Sequence, residues 1–239
     1  SPDLTTNDKT KQEQHKSGGL TFDATGAENY TTILAIEPSP LDKNVVWVGT
    51  DDGNVQLTKD RGKTWSNMSK KIYGVPKGSW VPQIVASSYN PAEAVVIINN
   101  YRRNDWKPYV FKTENYGNSW KSIATEENVW GHALSYAQDP IEPKLQFLGT
   151  EFGLYVSIDE SKTWTKWTNG FPTVSTMDLK IHPREHDLVI GTFGRAAYIL
   201  DDIRPLREMA KSTDNLLEKR LHFFEPPVAV LSINRQAAG

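Results

Sequence analysis

The octads TKDRGKTW (residues 58–65), TENYGNSW (113–120) and SIDESKTW (157–164) align without a gap. Each reads hydroxyl, any residue, Asp or Asn, any residue, Gly or Ser, any residue, hydroxyl, Trp, and the tryptophans Trp65, Trp120 and Trp164 stand 55 and 44 residues apart. The spacing describes a tight hairpin between two strands. Asp or Asn accepts hydrogen bonds from backbone N–H groups of the turn, Gly supplies the positive φ that the reversal needs, and Trp opens the return strand and packs beneath the turn. One copy would be a common hairpin; three at this interval mark a structural repeat whose length suits a four-stranded propeller blade.

The residues between the octads repeat as well. Apolar runs ending in small or polar residues precede them at VVWVGT (45–50), VVIINN (95–100) and LQFLGT (145–150), and a fourth stands at LVIGT (188–192). Upstream of each lies a further strand closed by proline: residues 32–36 before Pro38, 83–86 before Pro91, 133–136 before Pro140 and 177–181 before Pro183. Proline cannot continue a ladder and ends the strand there. Third strands read at 55–57, 109–111, 154–156 and 197–199. The expected fold class is therefore all-β, a partial β-propeller of about four four-stranded antiparallel blades at 29–75, 76–126, 127–170 and 171–204. Residues 1–28, rich in Lys, Gln, Thr and Gly, read as a polar linker or inter-blade excursion, and 205–239 as a C-terminal extension with one helix over 205–211. The fourth unit ends without an octad, so its outer strand is absent or comes from elsewhere, for example from the apolar tail at 228–233.

Composition narrows the function classes. With 38% hydrophobic residues, eight Trp and a net charge of −2, the chain has the make-up of a folded domain and lacks the basic footprint of a nucleic-acid binder. It has no Cys, which removes disulfides, thiolate metal sites and a Cys nucleophile. No stretch approaches the roughly 18 apolar residues that span a bilayer, and the opening SPDLT is no signal peptide.

The octads resemble the Asp boxes of the bacterial neuraminidase repeat superfamily, which includes sialidases, xyloglucanases and the propeller of sortilin receptors. More narrowly, SPDLT (1–5), WVGTDDGN (47–54), FLGTEFG (147–153) and ILDDI (199–203) are similar to stretches of large sortilin-like proteins, classed with glycosyl hydrolases, that Bacteroidetes-type bacteria export. The resemblance implies an internal fragment of a longer secreted, periplasmic or cell-surface protein. Its partners would be the remaining blades of the parent or a second copy, because open sheet edges invite pairing.

The resemblance also places ligands on the face opposite the octads, where second strands turn into third strands and outer strands cross to the next blade. That face collects Asp51, Asp52, Tyr101, Arg102, Arg103, Asp105, Trp106, Glu151, Phe152 and Arg195, with Trp80, Trp130 and His132 from neighbouring loops. Aromatic faces stack on sugars and Arg forks carboxylates, so Arg102, Arg103, Asp105, Trp106, Trp130, His132 and Arg195 are the expected ligand-binding residues for a carbohydrate or protein. Each has a plain structural alternative: Asp51 and Asp52 before Gly53 suit a turn, Arg102 and Arg103 a solvated loop, and Trp130 inter-blade packing. If the protein is a glycoside hydrolase, Asp52 and Glu151, two blades apart, are the carboxylate pair, to be set roughly 5 Å apart for retention and farther for inversion. A sialidase is not expected, since the three arginines do not follow the blade pattern and no Tyr–Glu pair is evident. A purely structural spacer is the third reading. No cofactor and no zinc site are expected. Calcium is the one ion that the Asp51-Asp52-Gly53-Asn54 cluster would admit, though an EF-hand's later Glu is missing.

Overall fold

The computed structural model describes residues 1–12, 30–212, 214 and 216–226. Fifteen strands among them form four antiparallel sheets, in each of which spatial order follows chain order. The first holds β1 (Ile33–Pro38), β2 (Val46–Thr50), β3 (Val55–Thr58) and β4 (Ser66–Asn67); the second β5 (Trp80–Ala86), β6 (Ala94–Asn100), β7 (Asp105–Thr113) and β8 (Lys121–Ala124). The third holds β9 (Ala133–Gln138), β10 (Gln146–Thr150), β11 (Gly153–Ser157) and β12 (Thr165–Trp167), and the fourth only β13 (Thr176–Ile181), β14 (Leu188–Thr192) and β15 (Ala197–Leu200). Inner strands of successive sheets touch, β1 with β5, β5 with β9 and β9 with β13. Residues of all four line one groove of about 440 Å³. This is a partial β-propeller.

Alternation along the second strands explains why they read as unbroken apolar runs. On β6, Val96 and Ile98 pack against Val45, Trp47 and Leu57 of the first sheet, while Val95 and Ile97 pack against Tyr136, Leu148 and Tyr155 of the third. A sheet between two others is buried on both faces, so both side-chain registers must be apolar. The Gly-Thr doublets have a cause that pattern alone did not disclose. A Cβ on Gly49 would stand 2.7 Å from Val81, and one on Gly149 would stand 2.5 Å from the Thr176 carbonyl, so glycine sets how closely the next inner strand approaches.

The three octads build the same hairpin. Asp60 Oδ1 accepts from the Thr64 backbone N–H at 2.8 Å and Asp159 Oδ1 from that of Thr163 at 2.9 Å, as Asn115 Oδ1 does from Ser119. The leading hydroxyl of each, on Thr58, Thr113 and Ser157, accepts from the N–H four residues on. Ser161 replaces the glycine yet keeps φ at +61°, and its hydroxyl donates to Gln146, a side-chain bond that helps hold the turn. The residue before the glycine position is left-handed too (Arg61 +60°, Tyr116 +56°, Glu160 +65°), a second requirement that the spacing concealed. The tryptophans also differ from expectation. Trp65 does fold back on its own turn, donating to the Gly62 carbonyl at 3.2 Å. Trp120 instead meets Trp47 of the first sheet edge-on at 5.9 Å, and Trp164 donates to the Ile123 carbonyl of the second sheet at 2.7 Å. Where a preceding blade is present, the octad tryptophan ties its blade to that neighbour.

Residues 1–12 are not a free linker. Leu4 is buried, its carbonyl accepts from Asn54 Nδ2 and Gln56 Nε2, each at 3.0 Å, and the Thr6 N–H donates to Asp52. The polar composition of the segment masked one apolar anchor whose backbone completes hydrogen bonds of buried amides on the first sheet. Helix α1 (Arg204–Lys211), with Pro205 in its first turn, packs Ala210 into the core between the third and fourth sheets. Arg207 of α1 reaches the fully buried Asp139 in the turn after β9, with Nε 2.9 and 3.0 Å from the carboxylate oxygens and Nη2 2.7 Å from one of them. No fourth strand pairs with β15 among the described residues, and the segment 228–233 considered for that place lies outside them.

Because Asp139 would be left as a buried, uncompensated charge, Arg207→Ala should cost about 3–5 kcal/mol of unfolding free energy. Urea denaturation of the variant beside the parent chain measures it, and a loss below about 1 kcal/mol would deny α1 this anchoring role.

Candidate functional site

The second-to-third strand turns and the outer-to-inner connections lie together on the face opposite the octads. Between the second and third sheets they gather an aromatic cluster. The turn Tyr101–Arg103 ends on left-handed Asn104 and delivers Trp106 at the start of β7. Tyr101 stacks on His132 with ring centroids 4.7 Å apart, and Trp106 leans on the same imidazole at 5.5 Å. Gly131, at φ +83°, leaves no room for a side chain against Phe152, and next to it Trp130 stacks on Phe152 at 4.3 Å. The two indoles stay open to solvent, Trp106 at 48% and Trp130 at 62% exposure. Lys166 Nζ lies 5.5 Å from the Trp130 ring centre.

His132 is buried beneath this platform. Its Nδ1 has no hydrogen-bond partner and its Nε2 stands 3.9 Å from the half-exposed carboxylate of Glu151. Burial holds the imidazole below its ordinary pKa, with Glu151 pulling the other way, so the ring is neutral at neutral pH. Glu151 is thus the one carboxylate of the expected pair that borders the platform.

The remaining expected residues divide. Arg102 and Arg103 each place a guanidinium 4.9 Å from the Trp80 ring centre; Arg103 also donates to the Gly78 carbonyl at 2.8 Å, binding the β6–β7 turn to the β4–β5 connection. Asp105 accepts from Asn100 Nδ2 and Tyr109 Oη, internal bonds that fix the start of β7. Arg195 is exposed in the β14–β15 turn of the fourth sheet, and its side chain forms no hydrogen bond or ion pair among the described residues. Asp51 and Asp52 are both buried. Asp52 accepts from the Thr6 N–H at 2.6 Å and the Thr50 hydroxyl at 2.5 Å, while Asp51 accepts from the Thr32 N–H at 2.7 Å. These bonds hold the amino-terminal segment and the start of β1. Among the described residues no three His, Asp or Glu side chains are gathered to hold a metal ion.

Sequence reasoning passed over Asn99, Leu134, Met177 and Asp178, which border a second pocket between the inner strands, on this face. A signal existed for the first: at the position where the other three units carry glycine, the second carries Asn99.

No protein-family model matches the sequence. No curated protein matches it either. Solved structures do match in fold. The GH74 xyloglucanase from Xanthomonas campestris superposes with a TM-score of 0.58 over 80% of this chain and 31% of its own, at 16% identity. The Niastella koreensis GH74 enzyme gives 0.54 over 72% and 29%, at 13% identity, and YCF48 bound to D1 peptide gives 0.51 over 71% and 51%, at 15% identity. The chain therefore spans under a third of the two GH74 enzymes and about half of YCF48, and the likeness is one of fold.

Asp51 supplies a test of the turn chemistry. Burial, with Asp52 alongside, raises its carboxyl from 3.8 to about 6. The folded state then binds more protons than the unfolded chain between about pH 4 and 6, so stability falls as pH rises through that window. Asp51→Asn keeps an oxygen for the Thr32 N–H but cannot ionise, and should flatten this fall. Melting temperatures of the two proteins from pH 4 to 7 check it; parallel curves would refute the assignment.

Proposed function

We propose that these four blades form a ligand-recognition segment that holds a carbohydrate across the Trp106–Trp130 platform, within a larger exported bacterial protein. The carrying observation is two open indoles beside a buried His132 and a half-exposed Glu151. Aromatic faces cover the apolar faces of sugar rings, while a carboxylate and nearby Arg side chains take the hydroxyls. The octad hairpins support placing the chain with Asp-box, sortilin-like proteins, whose export would put this face outside the cytoplasm. A protein ligand is the other occupant such a platform suits, and YCF48, solved bound to D1 peptide, gives that choice a precedent on a similar fold.

The hydrolase reading has one observation in its favour, the fold shared with GH74 enzymes. It would make Glu151 the acid or base, with Asp52 opposite it. The bonds Asp52 makes to Thr6 and Thr50 favour a holding role for that residue, which leaves binding as the stronger reading. The free face of the fourth blade, where Val189 and Ile199 are exposed, is proposed to meet a further blade of the parent.

Glycan-array screening followed by calorimetry on the best oligosaccharide, with xyloglucan fragments included, tests the proposal. Trp106→Ala and Trp130→Ala should each weaken binding about tenfold, or about 1.4 kcal/mol. Binding without turnover supports recognition. Turnover that disappears in Glu151→Gln or Asp52→Asn would replace it with the hydrolase reading, and an array without a hit would remove the carbohydrate assignment.

A further inference from the structure

Apart from the platform, a pocket of about 360 Å³ opens between the inner strands on the same face. That is the small end of ligand-holding cavities, which run roughly 300–1,000 Å³, and it suits a single ring rather than a chain. Its walls come from all four blades, so it is a product of the propeller geometry and of no single loop.

The chemistry of the lining is mixed in a specific way. Leu134 and Met177 give it an apolar side. Arg102 offers a guanidinium steadied by the rings of Trp80 and Tyr101, with Nε donating to Tyr101 Oη at 3.2 Å. Asp178 brings an exposed carboxylate, which accepts from the Leu179 N–H. The buried Asn99 Oδ1 and Trp80 Nε1 have no hydrogen-bond partner, one an acceptor and the other a donor. Burying such groups unpaired is costly, and a ligand that reaches them after a small side-chain adjustment recovers that cost.

A carboxylate ligand would meet Arg102 but be opposed by Asp178, and an ammonium ligand would meet the reverse. The set asks instead for a neutral molecule whose groups both donate and accept around a ring with an apolar face. We infer that the axial pocket binds one neutral pyranose residue, with Arg102 and Asp178 on its hydroxyls and Leu134 and Met177 against its ring. This deepens the carbohydrate reading but stands on residues other than the platform tryptophans.

Nuclear magnetic resonance of the 239-residue chain decides it. Methyl β-glucoside, methyl β-galactoside and methyl α-mannoside are titrated to millimolar levels, with glucuronate, glucosamine and alanine as anionic, cationic and zwitterionic controls. At least one neutral glycoside should shift the Trp80 indole N–H. Arg102→Met and Asp178→Asn should each weaken that response about tenfold or more. No response to any neutral glycoside, a control that binds more tightly than all three, or indifference to both pocket variants would overturn the inference. A silent Trp80 beside oligosaccharide binding that needs Trp106 would sink the pocket and spare the platform; the opposite pattern would sink the platform alone.

Discussion

The outer edge of each of the first three blades rests on how a hairpin reverses at the octad. Two consecutive residues must sit in the left-handed region, a cost for any side chain other than glycine, and the structure meets it with a carboxylate or amide that captures the returning N–H and a leading hydroxyl that captures another. With the reversal held this way, the return strand begins at a set point and its tryptophan reaches the preceding sheet. The octad therefore acts between blades as well as within one: Trp120 and Trp164 carry the hydrogen-bonded turns of one sheet into the apolar core shared with the last.

From that packing comes the character of the opposite face. Blades locked together at their octad ends and along their inner strands hold their other turns at set separations, so loops remote in sequence meet as a surface. His132 of the third blade lies under Tyr101 and Trp106 of the second by this route. The chain's ends are treated differently. The first sheet is covered in part by residues 1–12 through Leu4, whereas the fourth lacks an outer strand among the described residues and leaves Ile199 60% exposed. The four blades thus form an asymmetric arc whose first and last sheets are closed differently.

Much of the candidate site was legible as a set of residues sharing one face, and little of it as an arrangement. Trp106, Trp130, His132 and Glu151 were reachable because a blade's strand order assigns each loop to a face. Nothing in the order of residues separated them from Asp52, which shares the face and yet turns inward to hold Thr6 and Thr50. The two arginines read as a solvated or ligand-seeking pair, while the fold spends Arg103 on backbone carbonyls and leaves Arg102 at the axial pocket. Leu4 was hidden by polar neighbours, since one apolar side chain in a dozen residues has no period to betray it.

By itself the sequence determined the blade repeat, the number of sheets, the strand order within each and the face on which each loop emerges. These follow from local chemistry repeated along the chain: turn residues, proline stops and unbroken apolar runs act within a few residues of chain. Tertiary structure alone decided which side chains meet across blades, which carboxylates are consumed by backbone N–H groups, and that four inner strands enclose a pocket bordered by Asn99, Arg102 and Asp178. Those outcomes depend on the distance and rotation between sheets, which are set by the summed packing of side chains far apart in the sequence and leave no local pattern to read.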